Sequence, residues 1–137
     1  MKASIILSSY NNLGVLKLSI ESLRHQTEKD FEIIIADDEY LRKLKIKYFN
    51  LDILTDVITF DLSDNNKNLE AEIYISWDRI NDNSKKYNEK LDDEVKRVVI
   101  HGCLHLIGFN DSTKEEKKIM RKKELKYINS MKGNIII

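Results

Sequence analysis

Residues 92–111, DDEVKRVVIHGCLHLIGFND, decide how the chain is to be read. Val95, Val98, Val99, Cys103, Leu104 and Ile107 recur at helical spacing, which predicts one amphipathic helix with a core face. Asp92 or Asp93 is placed to cap its N-terminus, acids fill the first turn where the helix dipole favours them, and Gly108 is a natural stop. His101 and His105 stand four residues apart, so the second ring is rotated only about 40° from the first, one turn along. Two imidazoles so placed can grip one divalent ion. Asp111, just past the stop, can fold back as a third ligand, leaving room for water as in a catalytic site. Two of the chain's three histidines lie here, and Gly102 in a helix interior costs about 1 kcal/mol against Ala. That cost makes sense where something approaches the backbone closely.

The string HGCLHLIGFND resembles the signature H-G-x-L-H-L-x-G-Y-D-H of the YbeY family of metal-dependent endoribonucleases. His101, Gly102, Leu104, His105, Leu106 and Gly108 match as they stand, Phe109 replaces Tyr, and the family's last His falls on Asp111. A carboxylate there still completes three ligands but adds negative charge, making the bound ion a weaker Lewis acid. The resemblance implies one divalent metal ion, zinc by donor type, and a single-stranded ribosomal RNA substrate. It also implies a role in small-subunit ribosomal RNA maturation and ribosome quality control, with the ribosome or its small-subunit proteins as partners.

Working outward, residues 54–63, LTDVITFDLS, read as a strand whose T-D-V-I-T-F is similar to the family's T-D-V-L-S-F; Thr55 and Asp56 would position substrate or water. Residues 64–68 form a turn. Residues 70–76 return as a strand in which Ala71 and Glu72 stand for the family's Gly and Asp. Asp56 and Glu72 are therefore the candidate catalytic acids. Residues 39–49 are helical, with Tyr40, Leu41, Leu44 and Tyr48 at helical intervals and Arg42, Lys43, Lys45 and Lys47 around them. Residues 78–88 form a polar helix carrying Arg79, with Trp77 and Tyr87 packing beside it. Arg42, Lys45, Lys47 and Arg79 are the candidate phosphate contacts, although such charges are more often a solvated face. After Asp111, Ser112 or Thr113 caps a last helix, Glu115 or Glu116 completes a capping box, and Ile119, Met120, Leu125 and Ile128 supply apolar contacts. Between Lys114 and Lys132 eight Lys or Arg face three Glu, the nearest thing in the chain to an RNA footprint.

At the other end, residues 3–9 and 31–37 read as buried strands around a helix over 13–26, a β-α-β unit. Residues 3–38 closely resemble the opening of family-2 glycosyltransferases, which implies a nucleotide near Tyr10 and Asp37. A glycosyltransferase of that type needs a further acidic motif in a domain nearly twice this length. The chain thus reads as a mosaic: a single YbeY-like metal-dependent hydrolase domain over 1–137, with 1–36 a β-α-β scaffold of glycosyltransferase-like wording. The expected fold is α+β, a small mixed sheet of about four strands packed on helices, with the H-x-x-x-H helix central.

Lys plus Arg equals Asp plus Glu, 23 each, so any nucleic-acid surface must be local. The apolar run Ile5–Leu7 is too short for a signal peptide and no segment reaches membrane-spanning length, so the expected location is the cytoplasm. One cysteine, Cys103, reads as a buried thiol in a reducing compartment. Three rivals remain: a nucleotide-sugar-binding fragment; a non-haem iron oxygenase, whose triad is also two His and a carboxylate; and a non-enzymatic ribosome-assembly factor. Gly102 stands where H-E-x-x-H peptidases keep their general base, which disfavours peptide hydrolysis.

Overall fold

A computed structural model describes residues 3–7, 30–64 and 70–130, the side chains from residue 33 onward. The helix expected over 13–26, Tyr10, most of the 64–68 turn and the 135–137 tail lie outside the described residues. In chain order the elements are β1 (Ala3–Leu7), β2 (Asp30–Ala36), α1 (Asp38–Phe49), β3 (Val57–Asp61), β4 (Glu70–Ser76), α2 (Trp77–Lys86), α3 (Leu91–Leu106) and α4 (Lys114–Ser130).

The sheet is mixed, in the order β1-β2-β4-β3. β2 runs parallel to both β1 and β4, with Ile33 opposite Ile73, and β3 runs antiparallel to β4, with Thr59 opposite Ile73. This is the α+β architecture expected. Three of the strands, β2, β4 and β3, supply the sheet's described core side chains. Strand alternation divides them between two faces. Ile33, Ile35, Val57, Ala71, Ile73 and Ile75 meet Val95, Val98, Val99, Ile100 and Leu104 of α3 and Met120 of α4 on one face. Ala36 and Ile58 meet Leu41 on the other, joined by Leu44, Phe60 and Tyr74. So α3 covers one side and α1 the other.

Two short joints hold the layers in register. Asp37 caps α1 by accepting from the Tyr40 amide at 2.7 Å. Ser76 ends β4 and caps α2, which starts at Trp77, one residue before the expected helix. The Ser76 hydroxyl also donates to Asp38 Oδ1 at 2.7 Å, tying the two helix starts together.

Candidate metal centre

α3 begins at Leu91, with Lys90 at the cap position and no side-chain cap bond. Asp92 and Asp93 are therefore inside the first turn and not caps. The left-handed Asn88 closes the preceding turn and leaves Lys90 as the boundary. At the other end Gly108 (φ +99°) donates to the His105 carbonyl and Phe109 to that of Leu104, a Schellman closure that only a residue without Cβ accepts easily. This turn sends the chain back past the helix end. Ile107, expected in the core, is exposed because it sits at that closing position.

Gly102 shows what approaches the backbone: the sheet. A Cβ there would stand 3.1 Å from Ile73 Cγ2, Thr59 Oγ1 and Val57 Cγ2. The close approach seats α3 on β3 and β4 and so fixes where the neighbouring His101 emerges.

His101, His105 and Asp111 converge. His105 Nε2 lies 3.0 Å from His101 Nε2, and Asp111 Oδ2 lies 3.3 Å from the His101 nitrogen and 3.7 Å from that of His105. A tetrahedral ion with bonds of about 2.0–2.1 Å separates its ligand atoms by about 3.4 Å. The three observed separations bracket that value, so the donor set fits one ion, and its ligand atoms lie within 4.8 Å of one another. Exposure rises across the site, from 13% for His101 to 32% for His105 and 40% for Asp111, so it faces solvent on the Asp111 side.

His101 is held from behind. Its Nδ1 is 2.7 Å from Glu124 Oε1, on α4, a carboxylate only 4% exposed. Burial alone pushes the His101 imidazole down, but the hydrogen bond and charge of Glu124, with Asp56 and Asp111 beyond, outweigh it, and the ring sits above its ordinary value. Burial alone raises the Glu124 carboxyl; His101, Arg97 and Arg121 outweigh it and hold it below. An ionised carboxylate only accepts, so Nδ1 carries a proton, and Nε2, which faces His105 and Asp111, is the nitrogen left to ligate an ion.

Arg97 is the hub beneath. Its guanidinium meets Asp56 at 2.9 Å, Glu94 at 2.8 Å and Glu124 at 3.7 Å. Burial pushes it down, yet Glu94 and Asp56 prevail and it stays charged. A cleft of about 890 Å³ opens on this hub, lined by Asp56, Arg97, Arg121, Glu124 and Tyr87 among others, and not by the three donors.

Of the expected site residues, the metal set comes together. Asp56 is near but committed to Arg97. Glu72 alternates with Ile73 on β4 and accepts from the Tyr74 hydroxyl at 2.9 Å on the α1 side, with the sheet between it and His101. Three of the cationic candidates, Arg42, Lys45 and Lys47, lie on α1, which covers the face opposite α3. Arg42 is paired with Asp52 and Glu39, Lys45 lies over the Phe49 ring and Lys47 over that of Tyr48. Arg79, on α2, is spent on Asp38 and Asp82.

Sequence reasoning missed Glu124, Arg97 and Arg121. The buried stripe of α4 is Met120, Glu124, Tyr127 and Ile128, whereas Ile119 and Leu125 are exposed. An acid at i+4 from Met120 and i−4 from Ile128 was the available signal. The α4 capping box is as expected, with the Glu116 amide donating to Thr113 Oγ1 at 3.1 Å and Glu116 Oε2 accepting from the Thr113 amide at 2.9 Å. Tyr87, expected to pack, is exposed because α2 has already ended.

Fold and site together define an α+β protein with a helix-borne histidine centre able to hold a metal ion. A family model described as Endoribonuclease YbeY matches residues 9–132, running through most of the glycosyltransferase-like stretch 3–38 without a break. Endoribonuclease YbeY of Karelsulcia muelleri is 48% identical over 108 residues, covering 79% of this chain and 76% of the relative. That of Christiangramia forsetii is 45% identical over 95 residues, covering 69% and 66%. A solution structure of a Thermotoga maritima protein matches in fold, with a TM-score of 0.58 and 24% identity over 93% of this chain and 87% of that one. The chain belongs to the YbeY endoribonuclease family.

Proposed function

We propose that this chain is a metal-dependent endoribonuclease that cleaves single-stranded RNA, with ribosomal RNA of the small subunit as its substrate. The convergence of His101, His105 and Asp111 at donor spacings that suit one ion is the observation that carries the reading. Zinc is the ion the donors favour, and when bound it supplies Lewis acidity and water whose pKa is lowered to about 7. The chain's own residues then divide the work. His101 and His105 present neutral nitrogens, Asp111 supplies the carboxylate on the solvent side, and Glu124 fixes the His101 ring.

The RNA-facing cations assigned here are Arg121, whose side chain is 50% exposed, and Lys123, whose ammonium lies 4.5 Å from the Phe109 ring beside the closing turn. Asp56 serves as an anchor for Arg97 and not as a proton acceptor. A single strand suits this arrangement, because an unpaired backbone can be drawn down to a site partly sunk beside the helix end. In the same reading the whole chain is one hydrolase domain working in the cytoplasm on ribosome maturation and quality control, beside small-subunit proteins.

The test is metal content measured together with cleavage of single-stranded and duplex RNA, for the parent and His105→Ala. The parent should hold one ion per chain and cut the single strand, and the variant should lose both. Full activity in metal-free His105→Ala ends the proposal; a parent that binds the ion and cuts nothing points to a non-enzymatic assembly factor.

A further inference from the structure

Glu124 poses a question that the metal ligands do not answer. It sits on the buried stripe of a helix whose outer surface is mostly lysine, where Met120, Tyr127 and Ile128 make ordinary apolar contacts. A buried charge is poor packing material, and an apolar residue of similar volume would serve the core as well or better. Every contact of this carboxylate is directional. Oε1 accepts from His101 Nδ1 at 2.7 Å and lies 3.7 Å from Arg97, and Oε2 accepts from Arg121 at 3.2 Å. With both oxygens engaged, the group cannot turn away from the ring. Since Nδ1 must carry the proton, the other nitrogen of His101 is left as the lone-pair donor, aimed at Asp111 and His105.

We infer that Glu124 is a positioning residue for metal capture: it sets the orientation and tautomer of His101, and through it the seating of α4 is coupled to ion binding. The inference rests on the metal-centre reading above. His101 belongs to α3 and Glu124 to α4, so an ion that needs the His101 ring in this pose binds better when α4 is docked, and by reciprocity the ion holds α4 down.

The experiment begins with the parent and His105→Ala in a zinc titration against a chromophoric chelator. If His105→Ala binds as tightly as the parent, the metal centre itself is wrong and the role of Glu124 falls with it. If His105→Ala loses binding, Glu124→Ala and Glu124→Gln are compared by the same titration. Glu124→Ala should weaken zinc binding by about 10–100-fold, the usual effect of losing a carboxylate behind a ligating histidine. Glu124→Gln should recover most of it, because its amide oxygen still accepts from Nδ1–H. Parent-like affinity in Glu124→Ala, or equal loss in both variants, overturns the inference.

Folding defects in the variants are bypassed by two measurements on the parent. Zinc should slow amide exchange along α4 as well as around residues 101–111, and ¹⁵N chemical shifts of the imidazole should show the Nδ1–H form of His101. Protection that stops short of α4, or an Nε2–H ring, overturns it equally.

Discussion

The hydroxyl of Thr59 donates to the carbonyl of Gly102 across 3.3 Å, so the C-terminal part of α3, between the two histidines, is pinned to the edge strand β3. The contact exists because position 102 lacks a side chain. Gly102→Ala gains about 1 kcal/mol of helix propensity but drives a methyl against Val57, Thr59 and Ile73, whose β-branched side chains have little freedom to yield. Overpacking of this kind costs about 1–3 kcal/mol, so the net should be destabilising. Urea denaturation should show a lower midpoint with an unchanged slope.

Removing Asp111 should cost more zinc affinity than removing Glu124, because it deletes a ligand and not a support. Asp111→Ala is expected to weaken binding beyond the ~100-fold typical of an outer partner, with little change in folding, since the side chain is 40% exposed. Chelator competition and thermal melting, run in parallel, check the two halves.

Arg97→Met should destabilise strongly. It leaves Glu94, 4% exposed, without its close cation and removes one of the charges around Glu124, and breaking a buried pair costs about 3–5 kcal/mol. Arg97→Lys should recover only part, because one ammonium cannot span three carboxylates as a guanidinium does. Guanidinium chloride denaturation of the three proteins would rank them; equal stability for parent and Met variant contradicts the hub.

With metal removed by chelation, the His101–Glu124 pair should make stability depend on pH from both sides. Glu124 is held below its ordinary 4.5, so its contribution is complete above that value and is lost as pH falls through the depressed one. His101 is held above its ordinary 6.5, so its contribution is complete below that value and is lost as pH rises through the raised one. The pair therefore contributes most between about 4.5 and 6.5. Denaturation midpoints measured from pH 3 to 9 should show this plateau, and Glu124→Gln should flatten it.

Glu72→Gln should leave cleavage within about twofold, since the sheet separates it from the histidines. A loss of tenfold or more, with zinc still bound, would put Glu72 back into the reaction.

The histidine pair and its closing glycine could be read from the chain because helix periodicity and turn chemistry are local. Asp111 followed for the same reason, lying just beyond Gly108. The face that Glu72 occupies was carried by the alternation EAEIYIS: an apolar helix must cover the side holding Ile73 and Ile75, which leaves Glu72 and Tyr74 on the other. Arg97, Glu124 and Arg121 were hidden more deeply. For Arg97 and Glu124 the meaning comes from partners 23–41 residues away, brought together only when α4 packs on α3 and β3 leads into the sheet; Arg121 matters only through Glu124, one turn along the same helix. The side on which α1 carries its cationic residues was not legible, because charge counts say nothing about which side of a sheet a helix occupies.

The three candidate ligands fall within eleven consecutive residues, on one helical turn and the bend after it, whereas their support in Glu124 arrives from another helix. A chain not yet assembled can therefore already hold an ion loosely along this segment. An ion held there would then add less to global stability than its grip on the finished protein would suggest, because the unfolded ensemble would compete for the same ion.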